Sequence, residues 1–174
     1  MYSKEEIIER ANDKEFILKA VQEEAWTYEY ASDELHDDEE VTYEAVKKDG
    51  IQLEFASDRL KDNKKIVLEA VSKSGWVGCY ASERLRNDKE TMLSGVKVSG
   101  QILYYASKEL RDDKDVVLEA VKNKGIILKY ASKRLREDKD VAMAAITQNK
   151  KAIEYVADCI KKDEDIQNII NPPQ

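Results

Sequence analysis

One histidine, two cysteines and two prolines are all that this chain of 174 residues offers, and each shortage closes a class of chemistry. The single imidazole, His36, cannot serve a serine triad repeated along the chain. Joined with Cys79 and Cys159, which lie far apart, it cannot close a tetrahedral zinc site either. The same separation predicts free thiols and a reducing compartment. Pro172 and Pro173 sit at the extreme end, so no proline-rich linker divides the chain, and residues 1–174 are expected to form one array. No apolar run approaches the roughly 20 residues of a membrane span, and the opening MYSKEEIIER has no apolar signal core. These absences predict a soluble, cytoplasmic protein. EF-hand, Walker and GxGxxG motifs are also missing. No catalytic, metal or cofactor-binding residue is expected, and the chain reads as non-enzymatic.

What is present is a period. Tyr-Ala-Ser recurs at Tyr30, Tyr80, Tyr105 and Tyr130, with Phe55-Ala56-Ser57 in the same column, so the step is 25 residues without insertion. An aspartate column runs Asp13, Asp38, Asp88, Asp113, Asp138 and Asp163, with Asn63 between, and a leucine column runs from Leu35 to Leu135. Such a period means stacked supersecondary units that each touch their neighbours.

Within one unit, Val116, Val117, Ala120 and Val121 form the buried stripe of a helix over Asp113 to Asn123, opened by Asp112 or Asp113 as its cap. Glycines at 50, 75, 100 and 125 should end these helices in the left-handed conformation, with the turns at Ala25 and Lys150 free to differ. A second helix is expected over Ile126 to Arg136. The small serines of the Tyr-Ala-Ser column are expected to let helices approach closely. Ser3 and Glu6 form a capping box for a first helix over Ser3 to Ala11. Asp163 to Ile170 reads as a truncated helix stopped by Asn171, Pro172 and Pro173, with Ile169 and Ile170 expected either to cover the last hairpin or to mark where a longer array was cut. A leucine-rich repeat shares the period, but its strand pattern is absent. The fold class is therefore all-α: an α-solenoid of stacked helix-turn-helix hairpins, about six repeats plus terminal capping helices.

The phrases Tyr105-Ala106-Ser107, Leu110-Arg111-Asp112-Asp113-Lys114 and Val116-Val117-Leu118-Glu119-Ala120-Val121 resemble the repeat family catalogued as domain of unknown function 4116. The likeness covers nearly the whole chain, with departures at Glu5-Glu6-Ile7, Gly95 and Tyr155-Val156-Ala157. It implies a helical repeat array and carries no assigned activity.

Function must then be sought on surfaces. The aromatic column of Tyr30, Phe55, Tyr80, Tyr105, Tyr130 and Tyr155 suits packing between hairpins. Trp26 and Trp76 share a column with Ile51, Gln101, Ile126 and Lys151, and such variation predicts a partly exposed edge that binds a partner, together with Tyr104. Charge is uneven along the chain. Residues 1–50 hold 16 acids against 6 bases, while residues 51–150 hold 15 acids against 20 bases. Asp33, Glu34, Asp37, Glu39 and Glu40 are accordingly expected to select a protein or peptide partner with a basic surface. The alternatives are nucleic-acid binding through Arg59, Lys61, Arg84, Arg86, Arg111, Arg134 and Arg136, or a structural spacer in a larger assembly. The acidic balance argues against the former.

Overall fold

A computed structural model describes residues 2–171, which form a continuous stack of short helices with no strand among them. The repeating unit is a ten-residue α-helix, as at Lys114–Asn123, then a 3-10 helix, Gly125–Tyr130, then a short α-helix, Lys133–Arg136. Asp113 caps the long helix, its Oδ1 accepting from the amides of Asp115 at 3.0 Å and Val116 at 3.2 Å. The stripe of Val116, Val117, Ala120 and Val121 is fully buried.

The expected second helix is broken in two. Ser132 Oγ accepts a hydrogen bond from the amide of Leu135 at 3.2 Å, and Ala131 and Ser132 take extended backbone angles. A serine that caps a new helix offers the backbone an alternative to continuing the old one. The residues before it close i to i+3 bonds instead, Ile127 N to Lys124 O and Ala131 N to Leu128 O, each at 3.0 Å. Ser32, Ser57, Ser82 and Ser107 cap in the same way, so the serine column is a set of caps rather than of spacers.

The glycines also differ from expectation. No glycine among the described residues has positive φ; Gly50, Gly75, Gly100 and Gly125 each open a 3-10 helix whose backbone lies against the long helix of the next repeat. A Cβ on Gly125 would stand 2.2 Å from the carbonyl oxygen of Ala145. The residue type is set by close approach and not by a left-handed turn. Ala25 and Lys150 replace glycine yet open the same 3-10 helix, and Lys150 Nζ donates to Ile170 O at 3.0 Å.

Long helices and 3-10 helices each pack on their counterparts in the adjacent repeat. The first helix spans Lys4–Glu9, capped by Ser3 Oγ from the amide of Glu6 at 3.1 Å. The last spans Glu164–Ile170, with Ile169 and Ile170 half-buried over the end of the core; Pro172 and Pro173 lie outside the described residues. Near the acidic end, Tyr28 stands where later repeats have Leu53, Leu103 and Leu128. It is fully buried, with its hydroxyl 2.6 Å from Thr42 Oγ1. Burial pushes the phenol above its ordinary value. His36 Nε2 lies 2.8 Å from Tyr28 O, so the one histidine is part of this packing. No helix among the described residues is long and apolar enough to cross a membrane.

Candidate functional site: an aromatic cleft along the 3-10 helices

Most charged columns are engaged in joining one repeat to the next. Lys14 Nζ pairs with Asp38 at 2.8 Å and with Glu40 at 3.0 Å. Lys64, Lys89, Lys114 and Lys139 each bridge the capping residue and first-turn acid of the following repeat in the same way. The series skips one position, where Glu39 stands for lysine and is met by Asn63 and Lys65 in place of two acids. Lys65 sits 4.5 Å above the Tyr43 ring.

A second series joins the short helices. Asp37, Asp62 and Asp112 each accept from the serine hydroxyl 20 residues on and from the arginine 22 residues on. The serine bond and then the arginine hold these three carboxyls below their ordinary range. Arg59, Arg84 and Arg134 are thereby paired with aspartate. The rung is absent at both ends, where Asn12 and Glu34, then Glu137 and Cys159, hold these columns, and inside the stack it fails once: Asn87 replaces the aspartate and Glu109 the arginine, leaving only the Ser107 hydroxyl donating to Asn87 Oδ1 at 2.6 Å. There the short α-helix becomes a single 3-10 turn, Leu110–Asp112.

Beside that defect the surface opens into a cleft of about 340 Å³ between Trp76, Tyr104, Tyr105, Ile126 and Tyr130, flanked by Lys124 and Lys129. A 3-10 helix has three residues per turn, so positions three apart lie one above the other. Gln101 and Tyr104 therefore share an edge, as do Ile126 and Lys129. Tyr104 is 53% exposed, Tyr105 43% and Trp76 40%. Tyr104 meets Tyr105 edge-on at 4.8 Å and Tyr130 at 4.9 Å. Lys129 Nζ lies 4.7 Å above the Tyr130 ring. Trp76 leans on Tyr80 at 5.9 Å, whose hydroxyl is pushed up to about 12 by burial and by the neighbouring Glu54 carboxylate. The cleft offers aromatic faces, hydroxyl tips and one amide, with cations at one end.

The sequence candidates divide among separate surfaces. Trp76 and Tyr104 meet in the cleft. Trp26 lies two repeats away, its Nε1 donating to Glu24 Oε2 at 3.1 Å and its ring against Tyr30. Asp33 and Glu34 are exposed on the first turn of the short helix Asp33–His36. Asp37 is a rung of the stack, and Glu40 pairs with Lys14. Glu39 and Glu40 line a shallow depression of about 310 Å³ with Tyr43, Glu44 and Lys65, on the long-helix side. The acidic stretch is therefore not one patch. Tyr105, Tyr130, Lys124 and Lys129 were not singled out by sequence reasoning as site residues. For Lys129 the signal was a column in which Glu29, Glu54 and Glu154 give way to Cys79, Tyr104 and Lys129. Among the described residues, no group of three or more histidine, cysteine, aspartate or glutamate side chains is placed to hold a metal ion.

Neither the curated proteins nor the solved structures yielded a significant match to this chain. The family described as Domain of unknown function (DUF4116) matches in overlapping windows at residues 13–61, 38–86, 63–111, 88–136 and 113–161, each two repeats long. Those windows span the same stack of capped long helices and broken second helices from its first aspartate cap to its last short helix, and the chain belongs to the DUF4116 family.

Proposed function

We propose that the protein is a non-enzymatic helical-repeat scaffold that takes up a protein or peptide partner, with the cleft between Trp76 and Tyr130 as its docking point. One observation carries the reading: the exposed tyrosines sit beside the one interior position where the ion-paired rung is lost and the short α-helix tightens to a 3-10 turn. Asn87 and Glu109 give up an ion-paired rung at the place where Tyr104 and Tyr105 stand out from the surface. Departures from local consistency concentrate at functional positions, and exposed tyrosine and tryptophan supply contact area at low entropic cost. A compartment that keeps Cys79 and Cys159 reduced suits the two free thiols.

The experiment is peptide-display selection on the full chain with parallel selection on Trp76→Ala and Tyr104→Ala, after thermal melts confirm that both variants fold. Peptides that bind the parent and lose at least tenfold in affinity on either variant support the reading. Failure to enrich any peptide, or enrichment indifferent to both substitutions, refutes it.

A further inference from the structure

Resting on that reading, we propose that the occupant is a polyproline II segment lying along the array at one turn per repeat, with a carboxylate at its Lys124 and Lys129 end. The first support is commensurability. Helices packed side by side are about 8–10 Å apart, so successive 3-10 helices present Trp76, Tyr104 and Lys129 at that interval along the stack. A polyproline II helix rises about 3.1 Å per residue with three residues per turn, which gives nearly the same interval. Residues i, i+3 and i+6 of such a peptide would face Trp76, Tyr104 and the two lysines in turn. An α-helix lying the same way advances about 5.4 Å per turn and falls out of step.

The second support is stiffness. A cleft of about 340 Å³ that leaves Tyr104 53% exposed is shallow. A shallow site cannot order a flexible chain, whereas polyproline II is already extended and its pyrrolidine rings stack on aromatic faces. The hydroxyls of Tyr104 and Tyr130 and the amide of Gln101 can donate to its unpaired carbonyls. The third is charge. Lys124 and Lys129 stand at one end and Trp76 at the other, which fixes the polarity of the ligand and disfavours a cationic group in the aromatic cage.

The test uses the full chain with Trp26→Phe, so that Trp76 is the sole tryptophan, and follows its fluorescence during titration. Four synthetic peptides of equal length are compared: a proline run with Asp at i+6 from its first proline, the same with Asp at i+3, the same with Lys at i+6, and a glycine-serine version of the first. Single-stranded oligothymidylate is a fifth probe. The expected order places the i+6 Asp peptide first, with at least a tenfold loss on replacing Asp by Lys and a similar loss for glycine-serine. Lys124→Glu with Lys129→Glu should reverse the Asp and Lys preference. Equal affinity for the proline and glycine-serine peptides, no saturation by any peptide, or saturation by oligothymidylate alone overturns the proposal. Display-selected peptides without proline that still need Tyr104 would leave the docking reading standing while this one falls.

Discussion

Replacing Gly125 by alanine tests the stacking geometry at its tightest point. The added Cβ would lie 2.2 Å from Ala145 O, 3.1 Å from Ala145 C and 3.1 Å from Gln148 Oε1, and real Cβ contacts essentially never fall below 3.0 Å. Both nearest atoms belong to the backbone of a packed helix, so relief requires the two repeats to separate by about 0.8 Å, in the manner of an overpacked core. Overpacking by a methyl group costs about 1–3 kcal/mol, and alanine returns up to about 1 kcal/mol through its better helical propensity. The same shift stretches the bond from the Gly125 amide to Gln148 Oε1, which is 2.6 Å long. The net loss should be about 1–2 kcal/mol, or roughly 2–8 °C in Tm for a chain of this size. Circular dichroism melts and urea titrations measure it. Gly125→Asn is the discriminating control. A left-handed turn would tolerate asparagine, whereas a backbone contact makes asparagine at least as damaging as alanine. Ala25→Gly, where the 3-10 turn already carries a Cβ, should move stability by less than about 0.5 kcal/mol. A parent-like Gly125→Ala, or a well tolerated Gly125→Asn, would refute the close-approach argument.

Restoring the missing rung with Asn87→Asp and Glu109→Arg should raise Tm by about 2 °C, read in the same melts, and slow amide exchange in the turn Leu110–Asp112; neither single change should do so. Tyr28→Phe removes a buried hydroxyl bonded to Thr42 at 2.6 Å and should cost about 1 kcal/mol, with Thr42→Val in the same chain recovering most of it. Asp38, Asp88, Asp113 and Asp138 feel opposed effects: burial raises their carboxyls, but helix amides and a lysine of the preceding repeat outweigh it, so their values fall below the ordinary 3.8. Their contribution is present above that value and lost as pH falls through the folded values, so urea midpoints should drop below about pH 4, and less steeply for Asp113→Asn. Tyr28 works in the other direction: its raised phenol leaves stability intact below pH 10.0 and removes it as pH climbs further, a loss that Tyr28→Phe should abolish.

Much of the fold was legible because a constant stride puts equivalent residues in equivalent places. The long helices, their aspartate caps, their valine and alanine stripes and the covering helices at both ends follow from periodicity and capping chemistry alone. Two readings failed for a shared reason. A glycine after a helix and a serine within an apolar stretch each have two physical uses, and local pattern does not choose between them. The glycine could serve a left-handed turn or a close contact, and only the Ala145 carbonyl across the interface decides. The serine could be a spacer or a cap, and the extended backbone at Ala131 and Ser132 decides.

The candidate site was half legible. Trp76 and Tyr104 were named from the sequence, Trp76 because its column varies, but Tyr105 and Tyr130 were hidden in an aromatic column that is half-buried at every position except Tyr105. The acidic stretch from Asp33 to Glu40 looked like one surface in one dimension; folding distributes it between a short-helix turn, an ion-paired rung and the long-helix side. By itself, the sequence determined the unit, its repetition and the order of stacking, since each apolar stripe has only its sequence neighbours to cover it. Tertiary structure alone decided which charges are consumed between repeats and which aromatic rings remain in water, because both depend on residues 20 to 26 positions apart meeting across an interface.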